Sequence, residues 1–289
     1  MHPIHTPALP AATLIMLRDG PAGIEVLLVR RHGNSALLGG AYVFPGGKLD
    51  AADTELDPAL HLDQPPDQLR ASLHDAELEA PQAAGLYVAA VREAFEEAGV
   101  LLAAGPGGTA PDLPRAAALL KDDTPFNAML ARLDLRVQTQ WLVPWARWIT
   151  PRLPSVMNKR FDTRFFAAVV PAEQVARHDD YETVETAWLT PRTALQRYWD
   201  GEIEMAPPQI MTLAQLSHHA SAGAALAAAR AGRPPVIQPE SIHEDGVRVV
   251  CYPGDACHPV AERALPGPTR LRWQNKRFEP IDGFEALFG

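Results

Sequence analysis

The chain has little sulfur to build with. Two cysteines in 289 residues, Cys251 and Cys257, give no disulfide framework and no second pair for a zinc ribbon, so reduced thiols are expected. Long apolar runs are missing as well. The first apolar run, residues 11–17, has no Lys or Arg before it and meets Arg18-Asp19 at once, which does not read as a signal peptide. No stretch approaches the roughly eighteen apolar residues of a membrane span. Positive charge is also scarce: 26 Lys and Arg stand against 35 Asp and Glu, a formal charge of -9, which argues against nucleic-acid or anionic-membrane binding. These absences predict a cytoplasmic protein whose partner is a small molecule, with a homodimer left open. What the chain does have is 47% hydrophobic residues, enough for a sizeable core.

The most informative stretch is GLYVAAVREAFEEAG, which predicts a helix over residues 85–98. On a helical wheel Val88, Val91, Phe95 and Ala98 share one face, and Arg92, Glu93, Glu96 and Glu97 occupy the other. Three carboxylates then emerge within one turn and repel by a few tenths of a kcal/mol per pair, so something should offset them. A solvated acidic face is one reading; a hard-cation site that keeps waters for a phosphate to replace is the other. Upstream, Tyr42-Val43-Phe44-Pro45-Gly46-Gly47-Lys48 runs from an extended apolar segment into a Pro-Gly-Gly turn.

Together FPGGK and REAFEEAGV resemble the Nudix hydrolase signature, G-x5-E-x7-R-E-U-x-E-E-x-G-U with U aliphatic. Gly47 matches its first Gly, and Arg92, Glu93, Glu96, Glu97, Gly99 and Val100 match its second half. The pattern departs in two places. Asp53 stands where the first Glu is expected, and about thirty extra residues separate it from Arg92. An interrupted box of this kind is similar to that of a coenzyme A diphosphatase subgroup.

The resemblance implies an α/β (α+β) Nudix fold, a mixed sheet sandwiched between helices. The domain would cover residues 10–232, with an insertion at 51–84 and a C-terminal extension at 233–289. It also implies Mg²⁺ or Mn²⁺ held by Glu93, Glu96, Glu97 and the Gly46 carbonyl, with Arg92 orienting Glu93. A further acidic ligand or base falls on Glu182, with Glu185 second. Which carboxylate is the base stays open.

The insertion carries eight acidic residues against one Arg70 and is broken by four prolines, so it predicts a solvated surface excursion or a lid, with a short helix at 68–78. The reverse charge gathers later, where Arg147, Arg152, Lys159, Arg160 and Arg164 surround one Asp162 among Trp148, Phe161 and Phe165. Arg147, Arg160, Arg164 and Lys48 are the candidate substrate-binding residues, since arginine forks suit phosphate oxygens. The alternative is a strand carrying Arg on its solvent face. Residues 209–231 predict one long helix, and 247–252 with 269–273 a hairpin. Three functions remain in view: a coenzyme A or acyl-coenzyme A diphosphatase, a Nudix hydrolase for ADP-ribose or a dinucleotide, and a nucleotide-binding regulator that no longer cuts.

Overall fold

The computed structural model describes residues 7–33, 39–152, 159–177 and 183–289. Two long strands, β1 (Leu9–Gly20) and β2 (Gly23–Arg31), form an antiparallel hairpin at the centre of an eight-stranded sheet. Short β3 (Tyr42–Val43) extends β2, and β4 (Gly46–Lys48) returns to pair with β1 through Ala12↔Gly47 and Thr13↔Gly46. Then come three short helices, α1 (Ala51–Glu55), α2 (Pro58–His61) and α3 (Pro66–Leu73), and the long α4 (Ala80–Ala98). A small ladder of β5 (Ala103–Ala104) and β6 (Arg136–Val137) brackets α5 (Leu113–Lys121) and α6 (Phe126–Arg132). The sheet resumes with β7 (Val143–Ile149), β8 (Phe161–Val169) and β9 (Thr183–Leu189); β8 lies parallel to β1 and β7 antiparallel to β8, so the sheet is mixed.

Both faces of this sheet are covered, as the unbroken apolar runs of β1 and β2 require. Leu14, Met16, Leu27 and Phe166 pack under α4, while Ile15, Leu17, Val26 and Leu28 face the other way. The second face is covered by α7 (Pro191–Trp199), α8 (Pro207–Leu216) and α9 (Ala222–Ala231). The expected 209–231 helix is therefore two helices. Ser221 accepts from the Ala224 amide and starts α9 afresh, which leaves His218 and His219 in the break between them. After β10 (Val236–Ile237), strands β11 (Glu240–Glu244), β12 (Val247–Cys251), β13 (Arg270–Gln274) and β14 (Arg277–Glu279) make a second antiparallel sheet around the expected hairpin. Its Val250, Tyr252, Leu271 and Phe278 join the α7–α8 core cluster.

The insertion overturns its sequence reading. Leu56, Leu62, Leu69, Leu73 and Leu78 are all buried in the same cluster as α4, and α3 ends at Leu73, short of residue 78. The prolines that suggested a broken coil sit at the N-cap of α3 (Pro65) or in the first turn of α2, α3 and α4 (Pro58, Pro66, Pro81), where a missing N–H costs nothing. As a result α4 is buried nearly all round, with Ala83 to Val91 covered without a gap, and is not the two-faced helix its charges suggested.

Candidate active site

Helix α4 begins with Pro81 in its first turn and closes on Gly99, whose φ of 68° returns its amide to the Ala94 and Phe95 carbonyls. That helix delivers its last-turn carboxylates to the glycine turn on β4. Glu97, whose side chain is 3% exposed, accepts from the Gly46 amide at 3.3 Å through Oε2, and Arg31 Nη1 lies 3.9 Å from its Oε1. Glu93 lies against Gly47 so closely that a Cβ there would meet Glu93 Oε1 at 2.3 Å. A Cβ on Gly46 would fall 2.5 Å from the Ala12 carbonyl oxygen. Both glycines are required by close approach, one to a carboxylate and one to the neighbouring strand.

Arg92 supplies the offset that three crowded carboxylates demanded. Its guanidinium uses all five donors: Nε and Nη2 fork Asp53 at 2.9 Å each, Nη1 bonds Glu93 at 2.7 Å and Glu96 at 3.1 Å, and Nη2 also reaches the Lys48 carbonyl at 3.1 Å. Burial works against the Arg92 charge, but Asp53, Glu93 and Glu96 more than offset it and raise its pKa above the usual arginine range. The residue that breaks the signature thus supports it. Asp53, buried on α1, clamps Arg92 and also accepts from the Asp50 amide, so the helix start and the arginine clamp share one carboxylate.

The donors around Gly46 and Gly47 are all oxygen, which suits a hard divalent cation such as Mg²⁺ or Mn²⁺ in chemistry. They do not form a preassembled cage. Among the described residues no three acidic, His or Cys side chains are arranged to enclose an ion, and Arg92 bonds both Glu93 and Glu96. Glu96, with 41% of its side chain exposed, is the most solvent-accessible of the three.

The basic block is placed differently. Arg164 is buried on β8 and Arg147 faces it in register on β7; both bond Asp162 and Asp75, the latter from the loop between α3 and α4. The strand is as expected, yet Arg164 is 5% exposed and does not face solvent. Arg147 and Arg164 raise each other's need for anions, and against the effect of burial they hold the Asp162 carboxyl below its ordinary range. Arg160 donates to the Thr150 carbonyl at 3.1 Å, and Lys48 is exposed at the end of β4. Glu182 lies outside the described residues. Glu185 pairs with Arg30 at 3.7 Å and, after burial, helps push the Tyr42 hydroxyl up to about 12. Sequence reasoning missed Asp75 and Arg31. Nothing distinguishes Asp75 among eight insertion acids, whereas Arg31 stands in the run LLVRRH at the end of β2.

Comparison with known proteins agrees with this geometry. The NUDT19 Nudix domain matches residues 8–216. The chain is 32% identical to the human acyl-coenzyme A diphosphatase NUDT19 over 71% of its own length and 64% of that protein's. The Gallus gallus protein of the same name is 30% identical over 70% and 63%. The chain thus spans a little under two thirds of these curated relatives. A crystal structure of a Nudix hydrolase from Alicyclobacillus acidocaldarius superposes with a TM-score of 0.63 at 30% identity, covering 80% of this chain and 98% of that one. An α4 whose Arg92-Glu93 and Glu96-Glu97 pairs close on the Gly46-Gly47 turn, and a family match over most of the chain, agree: the protein belongs to the Nudix family, in the branch described by the NUDT19 Nudix domain.

Proposed function

We propose that this protein is a divalent-cation-dependent Nudix hydrolase that cleaves the diphosphate bond of coenzyme A or an acyl-coenzyme A, giving 3′,5′-ADP and the corresponding phosphopantetheine. The observation that carries the reading is the carboxylate cluster of Glu93, Glu96 and Glu97 closed on Gly46 and Gly47. Similarity to proteins named acyl-coenzyme A diphosphatase supplies the substrate class. Mg²⁺ or Mn²⁺ bound by these carboxylates and the Gly46 carbonyl would neutralise the diphosphate and lower the pKa of a bound water. The chain's own residues set the geometry: Asp53 holds Arg92, and Arg92 holds Glu93 and Glu96 while Glu97 is tied to the Gly46 amide. Lys48 and Arg160 are assigned to substrate phosphates, and Glu182, ahead of β9, stays a candidate ligand or base.

A substrate panel tests this directly. With Mg²⁺ or Mn²⁺ supplied separately, coenzyme A and short acyl-coenzyme A should give 3′,5′-ADP, and chelator should abolish turnover. Much higher kcat/KM for ADP-ribose or a dinucleotide would overturn the substrate; full activity in chelator would overturn the cation requirement.

A further inference from the structure

Arg147 and Arg164 stand opposite each other on β7 and β8, and two carboxylates fill the space between them. Arg147 forks Asp162 through Nε and Nη2 at 2.9 and 2.7 Å and reaches Asp75 Oδ2 through Nη1 at 3.0 Å. Arg164 bonds Asp162 through Nη1 and the same Asp75 oxygen through Nη2. Two cations therefore meet two anions, with the Arg164 and Asp75 side chains only 6% and 10% exposed. The two anions differ in how they are held. Asp162 is fixed in the strand itself, whereas Asp75 arrives on the connection that joins α3 to α4.

Register places this cluster beside the active site. Arg164 is level with Ala12 on β1, and Ala12 with Gly47 on β4, so Arg164 and Gly47 are two strand spacings apart, about 10 Å. Arg164 shares its sheet face with Phe166, under α4. A guanidinium pair two strands from the glycine turn that Glu93 lies against suits a second phosphate on the same substrate.

We propose that Asp75 is an internal substitute for that phosphate: it occupies the Arg147–Arg164 pair, and a phosphate monoester of the bound substrate takes its place. The identity of the monoester, the 3′-phosphate of coenzyme A, rests on the function proposed above. A tethered carboxylate has a high local concentration but one charge and two oxygens. A phosphate monoester brings more charge and three oxygens to the same donors. Competition with Asp75 would exclude weaker anions and select substrates bearing a monoester, which is specificity by built-in repulsion as well as attraction.

The test uses 3′,5′-ADP and 5′-AMP as probes in titration calorimetry, with Asp75→Asn against the wild type. The expected result is that 3′,5′-ADP tightens about tenfold relative to 5′-AMP, with a matching fall in KM for coenzyme A but not for its 3′-dephospho form. An unchanged ratio with a lowered melting temperature would make Asp75 a structural strut and overturn the proposal. In case the variant folds poorly, hydrogen exchange of residues 74–79 in the wild type gives a second measurement. Exchange should rise when 3′,5′-ADP binds, and unchanged or slower exchange overturns the displacement. If 3′,5′-ADP tightens in the variant while coenzyme A is not cleaved, the substrate reading fails and the anion exchange stands.

Discussion

Gly46 and Gly47 are adjacent and chemically identical, yet the atoms they meet give them separate tasks. A methyl on Gly46 runs into the backbone of β1 at the Ala12 carbonyl, which cannot retreat without breaking strand pairing. A methyl on Gly47 runs into the end of the Glu93 side chain, which can swing aside. Gly46→Ala is therefore expected to cost about 3 kcal/mol of stability, read as a lower melting temperature. Gly47→Ala should leave the melting temperature within a few degrees and lower kcat about a hundredfold if Glu93 holds the cation as proposed, since its carboxylate would be moved by an ångström or more. If Gly47→Ala kept wild-type turnover, Glu93 would not be needed where the structure puts it. At this scale the sequence was readable wherever identity alone decides the role. Glycines and helix carboxylates announce themselves, but a carboxylate such as Asp75 acquires meaning only from the two arginines that the fold brings to it, 72 and 89 residues away along the chain.

The insertion shows how a composition argument fails at the scale of an element. Eight acids and four prolines describe a segment that cannot form a core by itself, and that inference is sound for an isolated peptide. The five leucines need only join a surface already apolar, and they share one buried cluster with α4 residues such as Ala83, Ala84, Tyr87, Val88 and Val91. The leucines show no helical period in the sequence, because each helix is too short to hold more than one or two of them. Gly85 records the closeness of the fit: a Cβ there would meet Thr54 Cγ2 at 2.7 Å and the Asp53 backbone carbon at 3.3 Å. Replacing residues 56–79 with a Gly/Ser linker should therefore abolish cooperative unfolding, and Leu69→Ala alone should cost about 2–5 kcal/mol. Circular dichroism on heating decides it. A linker variant that still melted cooperatively, with its α4 intact, would show the insertion to be dispensable packing.

Across the whole molecule, the β11–β14 sheet is tied to the Nudix layer by contacts that a separate domain would not need. The Tyr198 hydroxyl on α7 donates to the Phe278 carbonyl at 3.0 Å and accepts from its amide at 2.7 Å, and Trp148 on β7 meets Tyr252 edge to face. No helix among the described residues is long and apolar enough to cross a membrane. Apolar packing between the two sheets is joined by buried polar clusters. Asp255 is one such cluster. Arg270 forks it at 2.7 and 2.6 Å, and the Thr269 hydroxyl and Cys257 amide also donate to it. Burial alone would raise its pKa, but these donors lower it to about 2. A depressed folded-state carboxylate stabilises the fold at any pH above its ordinary value near 3.8, and the contribution is lost as pH falls from there to about 2. The shift corresponds to about 2 kcal/mol. Asp255→Asn should then melt lower than the wild type at pH 7, and the gap should close between about pH 4 and pH 2, where the wild-type carboxyl is itself protonated. Because Tyr198, Trp148 and Phe278 share one core, far-ultraviolet circular dichroism and tryptophan fluorescence should report the same midpoint throughout. A gap that persisted at pH 2, or two separate midpoints, would show that the C-terminal sheet does not depend on Asp255 or does not unfold with the rest.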